Sequence, residues 1–531
     1  MNVEAADPRY RWAAAAIVGV ASAGAAILYL ARPIPVWFAF DDWDPLATRS
    51  IWSIGDLTRP HFDHFIAVPT VIYRVLFRLF GLEVLPFRVL SVTMHVVVTI
   101  LLWRVMVRCG AQRWVAVAAT VTFAFFAAGH QNITYTFGVT FTIALAAGLG
   151  ALLLAGHDGP WSNRDTAAAV LGVIAIMSSG VGVTMVAVTA FAALLRGRTR
   201  AALLHAAIPG VVYGTWWIIA NDSQGGLGTA ESATRFVRSH AWNLFDALGQ
   251  NPFTAVLFAA AFVGGVVLSV GAWCSGECRR SSDVLALAAG AVFYVITTGV
   301  ATPIVEGWLP TLWPASRHLH VLAVLTLPAI VAGASAVARR SHGATALVVV
   351  LMLVGIPWSM GDFIDRDEFQ ESFDAGYVDL VLAAPRLEVA AELPRDHEIE
   401  PFFLPDVTIG WLTDALATGL LPALQDYSEG DELHHTLLLS LGTTTVDWVD
   451  PAACEVVSGA TELTLERGDR IATSAAPATV SLRRNGVVSR PVTITAAPFV
   501  FEGREVLAGP MDLVIAPRDD DATIPVCVSR V

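Results

Sequence analysis

The chain has 531 residues, of which 55% are hydrophobic and only 15% charged, with a net charge of −13. That balance excludes an ordinary water-soluble protein, because runs of about 20 apolar residues recur and each is long enough to cross a bilayer. The charge is divided: residues 1–361 carry +6 and residues 362–531 carry −19, so a basic membrane part precedes an acidic, water-facing one, and nucleic acid is not expected as a partner.

Hydropathy predicts about eleven spans, at roughly 12–31, 86–107, 114–128, 139–156, 165–178, 181–195, 201–220, 252–273, 283–302, 319–338 and 344–360. The first follows Arg9 and Arg11; its length and the lack of a small-residue cleavage site mark a retained helix and not a signal peptide. The runs 165–178 and 181–195 are short for a crossing and meet at Ser178 to Gly182, as a shallow helical pair would. Arginines then set the orientation. Arg9/Arg11, Arg104/Arg108/Arg113, Arg164, Arg196/Arg198/Arg200, Arg279/Arg280 and Arg339/Arg340 fall on alternate connections, which predicts those connections and the N-terminus to be cytoplasmic. The loops 33–85, 129–138, 221–251 and 303–318, and everything after residue 361, then lie outside the cytoplasm. Phe65–Phe80 and Glu231–Leu248 place apolar residues at helical spacing with arginines on one side, the pattern of helices lying in the membrane interface.

Past Met360 the character changes. Residues 362–442 predict a helical connector that includes an amphipathic segment at Gly410–Leu421. From residue 443 the pattern alternates at Glu462–Glu466, Ala478–Arg483, Pro491–Thr495 and Met511–Ala516, with Asn485-Gly486 as a hairpin turn. The predicted fold class is therefore a polytopic α-helical membrane domain over 1–361, the connector over 362–442, and an extracytoplasmic β-sandwich over 443–531. Cys454 and Cys527 lie near the two ends of the β-domain, where a disulfide and two buried thiols are both compatible with the sequence. Cys274 and Cys278 have no second pair nearby and read as free thiols.

Five clusters carry candidate chemistry. Asp41-Asp42-Trp43-Asp44 follows the first span closely; adjacent carboxylates repel, which suits one of them to act as a general base or as a metal or substrate ligand, and a solvated loop is the alternative. Asp44-Pro45 reads instead as a helix start, with Asp44 as its cap. His61 and His64 flank Asp63 and suit polar substrate contacts better than a metal. At the head of the span 319–338, Ser316-Arg317-His318-Leu319-His320 suits recognition of an anionic headgroup, and a snorkelling anchor explains Arg317 equally well. Trp308, Trp313, Pro310 and Pro314 before it read as an interfacial belt. His130 with Gln131, Asn132 and Tyr135 forms a polar turn able to hydrogen-bond a sugar. Arg235, Arg238 and His240, with Trp216 and Trp217, suit either lipid phosphates or an interfacial anchor.

Three of these features fall in a familiar order. An Asp-Asp pair in a long first outer loop is followed by an H-F-x-x-F-x-x-V-P run ending at Pro69 and an amphipathic stretch ending Leu79-Phe80-Gly81. Then come L-P-F-R-V-L-S-V-x-x-H at Leu85–His95 and, late in the domain, A-S-R-H-L-H at Ala315–His320. Over about residues 10–360 this layout resembles the GT-C superfamily of integral membrane glycosyltransferases, in a form similar to bacterial and actinobacterial members. The resemblance implies a polyprenyl-phosphate-sugar donor, a glycan, glycolipid or protein acceptor, and surrounding membrane lipids. It implies that Asp41 or Asp42 deprotonates or orients the acceptor hydroxyl, that C1 of the sugar is attacked with inversion, and that Arg317 stabilises the leaving phosphate, with Arg235 or Arg238 as weaker candidates. His318 stands where such members often carry Tyr. The family admits a divalent metal without requiring one. A second class, a transporter or flippase of lipid-linked sugars, predicts internal repeats and ionisable residues at mid-membrane. The sequence shows no repeat, and its charges gather at span ends.

Overall fold

The computed structural model describes residues 8–531 except 32–36, 39, 63, 221–229, 302–315, 401–403, 405, 425–426, 443–453, 466–469, 474–477, 495–498, 503–510, 518–523 and 530–531. Asp63, Trp308, Pro310, Trp313 and Pro314 lie outside the described residues. The chain packs as two units, Met1–Ile34 with Arg49–Gln370, and Pro35–Thr48 with Glu371–Val531.

The first unit is helical. It opens with α1 (Pro8–Ala31), α2 (Ile54–Thr58), α3 (Ala67–Phe80), α4 (Val84–Arg108), α5 (Arg113–Ala124) and the one-turn α6 (Gln131–Thr134). There follow α7 (Val139–Ala155), α8 (Asn163–Ile176), α9 (Val181–Leu195), α10 (Thr199–Ala220) and α11 (Ala230–Gly249). The last are α12 (Pro252–Cys274), α13 (Cys278–Ala301), α14 (Ser316–Ala338), α15 (His342–Leu353) and α16 (Ile356–Ala383), which continues into the second unit. Among the described residues seven helices are long and apolar enough to cross a membrane: α1, α4, α10, α12, α13, α14 and the stretch His342–Gly361. α5, α7 and α9 are apolar but shorter.

Local signals start these helices. Gln112 accepts from the Val115 N–H at 2.9 Å, Ser341 from Ala344 at 3.0 Å, and Asn251 from Thr254 at 3.0 Å with Pro252 in the first turn. α14 is the axis of the unit and is buried along most of its length. It approaches α12 through small residues: a Cβ on Gly265 would lie 1.8 Å from the Ala329 carbonyl oxygen, and one on Gly333 2.1 Å from that of Ala261. Lipid tails supply no hydrophobic drive between helices, so such close backbone packing is what holds them together.

The second unit joins residues 35–48 to α17 (Ile409–Ala417), α18 (Glu429–Ser440) and ten strands. These are β1 (Leu441–Gly442), β2 (Cys454–Val457), β3 (Thr461–Leu465), β4 (Arg470–Thr473), β5 (Ala478–Arg484), β6 (Val487–Val488), β7 (Val492–Ile494), β8 (Phe499–Glu502), β9 (Met511–Pro517) and β10 (Ile524–Ser529). One sheet runs β1-β8-β4-β10-β2 and the other β3-β9-β5-β6, with β7 also paired to β5. Alternate residues of β5 and β9 point into a core that takes Leu433 and Leu437 from α18 and Ile524 and Val526 from the other sheet. Asn485 and Gly486 both have positive φ, the two-residue turn that pairs Arg484 with Val487. Cys454 and Cys527 are bridged, across paired positions of β2 and β10. Closing a loop of 73 residues contributes roughly 4 kcal/mol on the chain-entropy account.

The second unit also carries a pH-sensitive element. His435 of α18 is fully buried, and its Nδ1 lies 3.0 Å from the Tyr427 hydroxyl. Burial, helped by His434 and Arg490, pushes its pKa down to about 4. The folded state thus holds His435 neutral, whereas the unfolded chain protonates it near pH 6.5. Its contribution is complete above about pH 6.5 and is lost as pH falls toward 4, a change of about 3 kcal/mol. Asp379, whose carboxyl burial raises, acts in the opposite sense. The readout is therefore a comparison: melting of this unit should fall more steeply between pH 6.5 and 4.5 in the parent than in His435→Gln. Equal slopes would remove the role.

Candidate functional site

The head of α14 is met by Gln131, Asn132, Tyr294 and His240. Gln131 and Asn132 fix its first turn: the Gln131 N–H donates to Ser316 Oγ at 3.1 Å, the Arg317 N–H to Gln131 Oε1 at 3.2 Å, and Asn132 Nδ2 to the Arg317 carbonyl at 2.9 Å. The polar turn at 129–135 is therefore a clamp on this helix start. Arg317 itself is exposed, and no ion pair to it occurs among the described residues.

His318 turns inward from Arg317. The Tyr294 hydroxyl of α13 meets its Nδ1 at 2.7 Å. Its ring packs edge-on against Phe236 at 5.2 Å and His240 at 5.4 Å, both from α11. His240 donates from Nδ1 to the Phe236 carbonyl at 3.0 Å, so its Nε2 is a bare acceptor, buried and without a partner among the described residues. Arg317, His240 and His64 all lie near enough to act electrostatically on His318.

His64 owes its position to a tight turn. His61 and His64 exchange both backbone hydrogen bonds, at 3.0 and 2.9 Å, with Phe62 at φ +46° between them. The two rings consequently part company. His64 is exposed and sits over Gly180, where a Cβ would come within 3.1 Å of its ring, whereas His61 is buried 4.9 Å from the ring of Phe137. Among the described residues no three His, Cys, Asp or Glu side chains are placed to hold a metal ion.

Other predicted site residues are placed elsewhere. Arg235 and Arg238 lie on the exposed face of α11, away from Phe236 and His240, and Arg235 pairs with Glu231 at 2.9 Å. His130 is half-buried, 6.2 Å from the Tyr135 ring. His320 is fully buried, with Nε2 3.1 Å from Nδ1 of His95, whose own Nε2 faces the Ala124 carbonyl at 3.1 Å. Two residues of helix are about 200° of rotation, so His318 and His320 face opposite sides of α14. Sequence reasoning missed Tyr294 and the His95–His320 contact. The available signals were a tyrosine near the polar end of an apolar span and the histidine that closes the L-P-F-R-V-L-S-V-x-x-H stretch.

In the second unit the first-loop carboxylates are not a solvated loop. Phe40–Asp42 forms a 3-10 turn and Asp44–Thr48 a π turn. Trp43 between them is fully buried against Trp37, Phe38 and Trp411, with centroids 5.5, 5.9 and 5.7 Å away. Asp42 is 2% and Asp44 3% exposed, while Asp41 is half-buried. Asp44 accepts the Thr48 hydroxyl at 3.0 Å, which ties it to its own turn. Burying a carboxylate is costly unless it is partnered, and Asp41, Asp42 and Asp44 all have further polar or ring interactions.

No family model matches the chain, and no curated protein matches it. Among solved structures it is similar to the Archaeoglobus fulgidus oligosaccharyltransferase, determined in complex with Zn and sulfate, at 14% identity and a TM-score of 0.45. The match covers 71% of this chain and 56% of that one, so the chain spans little more than half the length of this oligosaccharyltransferase.

Proposed function

We propose that the protein is a membrane glycosyltransferase that moves a sugar from a polyprenyl-phosphate donor to a cell-envelope glycan, glycolipid or protein acceptor. The observation that carries the reading is the head of α14, where the exposed Arg317 is followed by an inward-facing His318 that meets Tyr294 and His240, at the polar end of an apolar helical unit. A lipid phosphate suits that combination: a guanidinium at the interface, with apolar helices beneath for the prenyl chain. The arginine distribution supports about eleven crossings of the cell membrane, a cytoplasmic N-terminus, and both α14 head and C-terminal unit on the extracytoplasmic side.

In the proposed reaction an acceptor oxygen forms a bond to C1 as the bond from C1 to the phosphate oxygen breaks, with inversion. The acceptor proton goes to Asp41 or Asp42, and the electron pair leaves with the polyprenyl phosphate, whose charge Arg317 meets. The reading of a transporter is less well supported, because the buried ion pairs of the helical unit sit at helix ends, such as Arg108 and Arg196 around Asp283.

The test is a donor screen with the full chain in detergent, using polyprenyl-phosphate hexoses and pentoses and reading product mass. Arg317→Gln should lower kcat/KM by about 10- to 100-fold, and Arg317→Lys by less, since it keeps the charge and loses the fork. A folded protein that transfers from no donor, yet moves lipid-linked sugar across proteoliposomes, would replace this reading with the transporter.

A further inference from the structure

We infer that a groove at the opposite end of the helical unit binds one anionic phospholipid of the adjoining leaflet. The groove has a volume of about 680 Å³ and lies between α1, α5 and α15. Its walls are helical stripes such as Ala16 and Val20, Val117 and Val121, Ala346 and Val349, with Trp114 and His342 at one end. The three helices start at that same end. Ala14 and Val18 of α1 pack on Val117 of α5, and the Thr122 hydroxyl of α5 donates to the Met352 carbonyl of α15 at 2.7 Å, far end to far end.

Two features select the occupant. The first is depth. The lining of α15 runs from His342 to Leu353, roughly 16 Å at 1.5 Å per residue, which is about half of a ~30 Å hydrocarbon core. A transmembrane helix from a second copy would need a groove through both leaflets; an acyl chain needs one. The second is charge. Arg11 precedes the α1 stripe, Arg113 opens α5 with its guanidinium 6.0 Å from the Tyr10 ring, and Arg340 and His342 are exposed at the start of α15. The first turns of α1, α5 and α15 contain no acidic residue. An apolar slot one leaflet deep beneath a basic rim fits a phospholipid whose headgroup is anionic. Arg339 and Arg340 follow the last turn of α14, whereas Arg317 and His318 open its first, so this site is separate from the proposed donor site.

The experiment is native mass spectrometry of the full chain released from nanodiscs containing phosphatidylglycerol or phosphatidylcholine with identical acyl chains. The parent should retain one lipid, phosphatidylglycerol about five- to tenfold over phosphatidylcholine. Ala346→Trp, which fills the slot, should lose the retained lipid of both kinds. Arg11→Gln with Arg340→Gln, two exposed substitutions that leave the slot open, should keep the lipid and lose the preference. Equal retention of the two lipids by the parent would overturn the inference, as would an unchanged adduct in Ala346→Trp. A dimer that Ala346→Trp dissociates would assign the groove to a second copy instead. None of these readouts depends on sugar transfer.

Discussion

Replacing Asp41 or Asp42 with Asn is expected to cut sugar transfer by about 10²- to 10⁴-fold, the range a positioned general base supplies. Asparagine keeps the shape and removes the proton acceptor, so the loss should appear in kcat at saturating donor, with melting near that of the parent. Asp41 is half-buried and Asp42 is 2% exposed beside the fully buried Trp43, so both are tested singly and together. Asp44→Asn is the internal control. Its carboxylate accepts the Thr48 hydroxyl within one π turn, so the substitution should lower stability and leave turnover within a few-fold. Unchanged kcat in Asp41→Asn, Asp42→Asn and the double variant would remove the base from this pair.

How far these assignments were legible depended on which force placed each residue. Hydropathy is a one-dimensional signal, so α4, predicted at 86–107, appears at Val84–Arg108, and α14, predicted at 319–338, at Ser316–Ala338. α5 stops at Ala124, short of the predicted 128, because the chain turns through a 3-10 segment at Ala127–Gly129. The alternating strands were equally readable: Ala478–Arg484 and Met511–Pro517 have one face in the core, and Asn485-Gly486 forces its own turn. Cys454–Val457 and Ile524–Ser529 were not recognised, since a four-residue strand and a run such as I-P-V-C-V-S carry little alternation. Facing was the larger loss. The pairing of His318 with Tyr294, the inward turn of His320 to His95, and the burial of Asp42 are set by neighbours far along the chain. Local spacing holds no record of them.

The largest stability effect should come from Asp283, far from any residue assigned to chemistry. This fully buried carboxylate of α13 receives Arg108 Nε at 2.8 Å, and its oxygens also pair with Nη2 of Arg108 and Nη2 of Arg196. The two arginines are not equivalent. Arg108 is partly exposed and also donates to the carbonyls of Leu153 and Leu152 at 2.8 and 3.1 Å. The Arg196 side chain is 1% exposed, and its Nε and Nη1 have no partner among the described residues, so Asp283 is its main compensation. Asp283→Leu therefore strands a buried cation and should cost about 3–5 kcal/mol. Arg196→Met should cost less, because Asp283 keeps Arg108. The double variant leaves only the partly exposed Arg108 without its carboxylate, so it should melt above Asp283→Leu alone and nearer to Arg196→Met. Melting of the three proteins in one detergent decides the order, and a double variant less stable than Asp283→Leu would refute the charge account. Transfer per folded molecule should be unchanged in all three, because the cluster ties the ends of α4, α9 and α13 together and touches none of the residues at the head of α14.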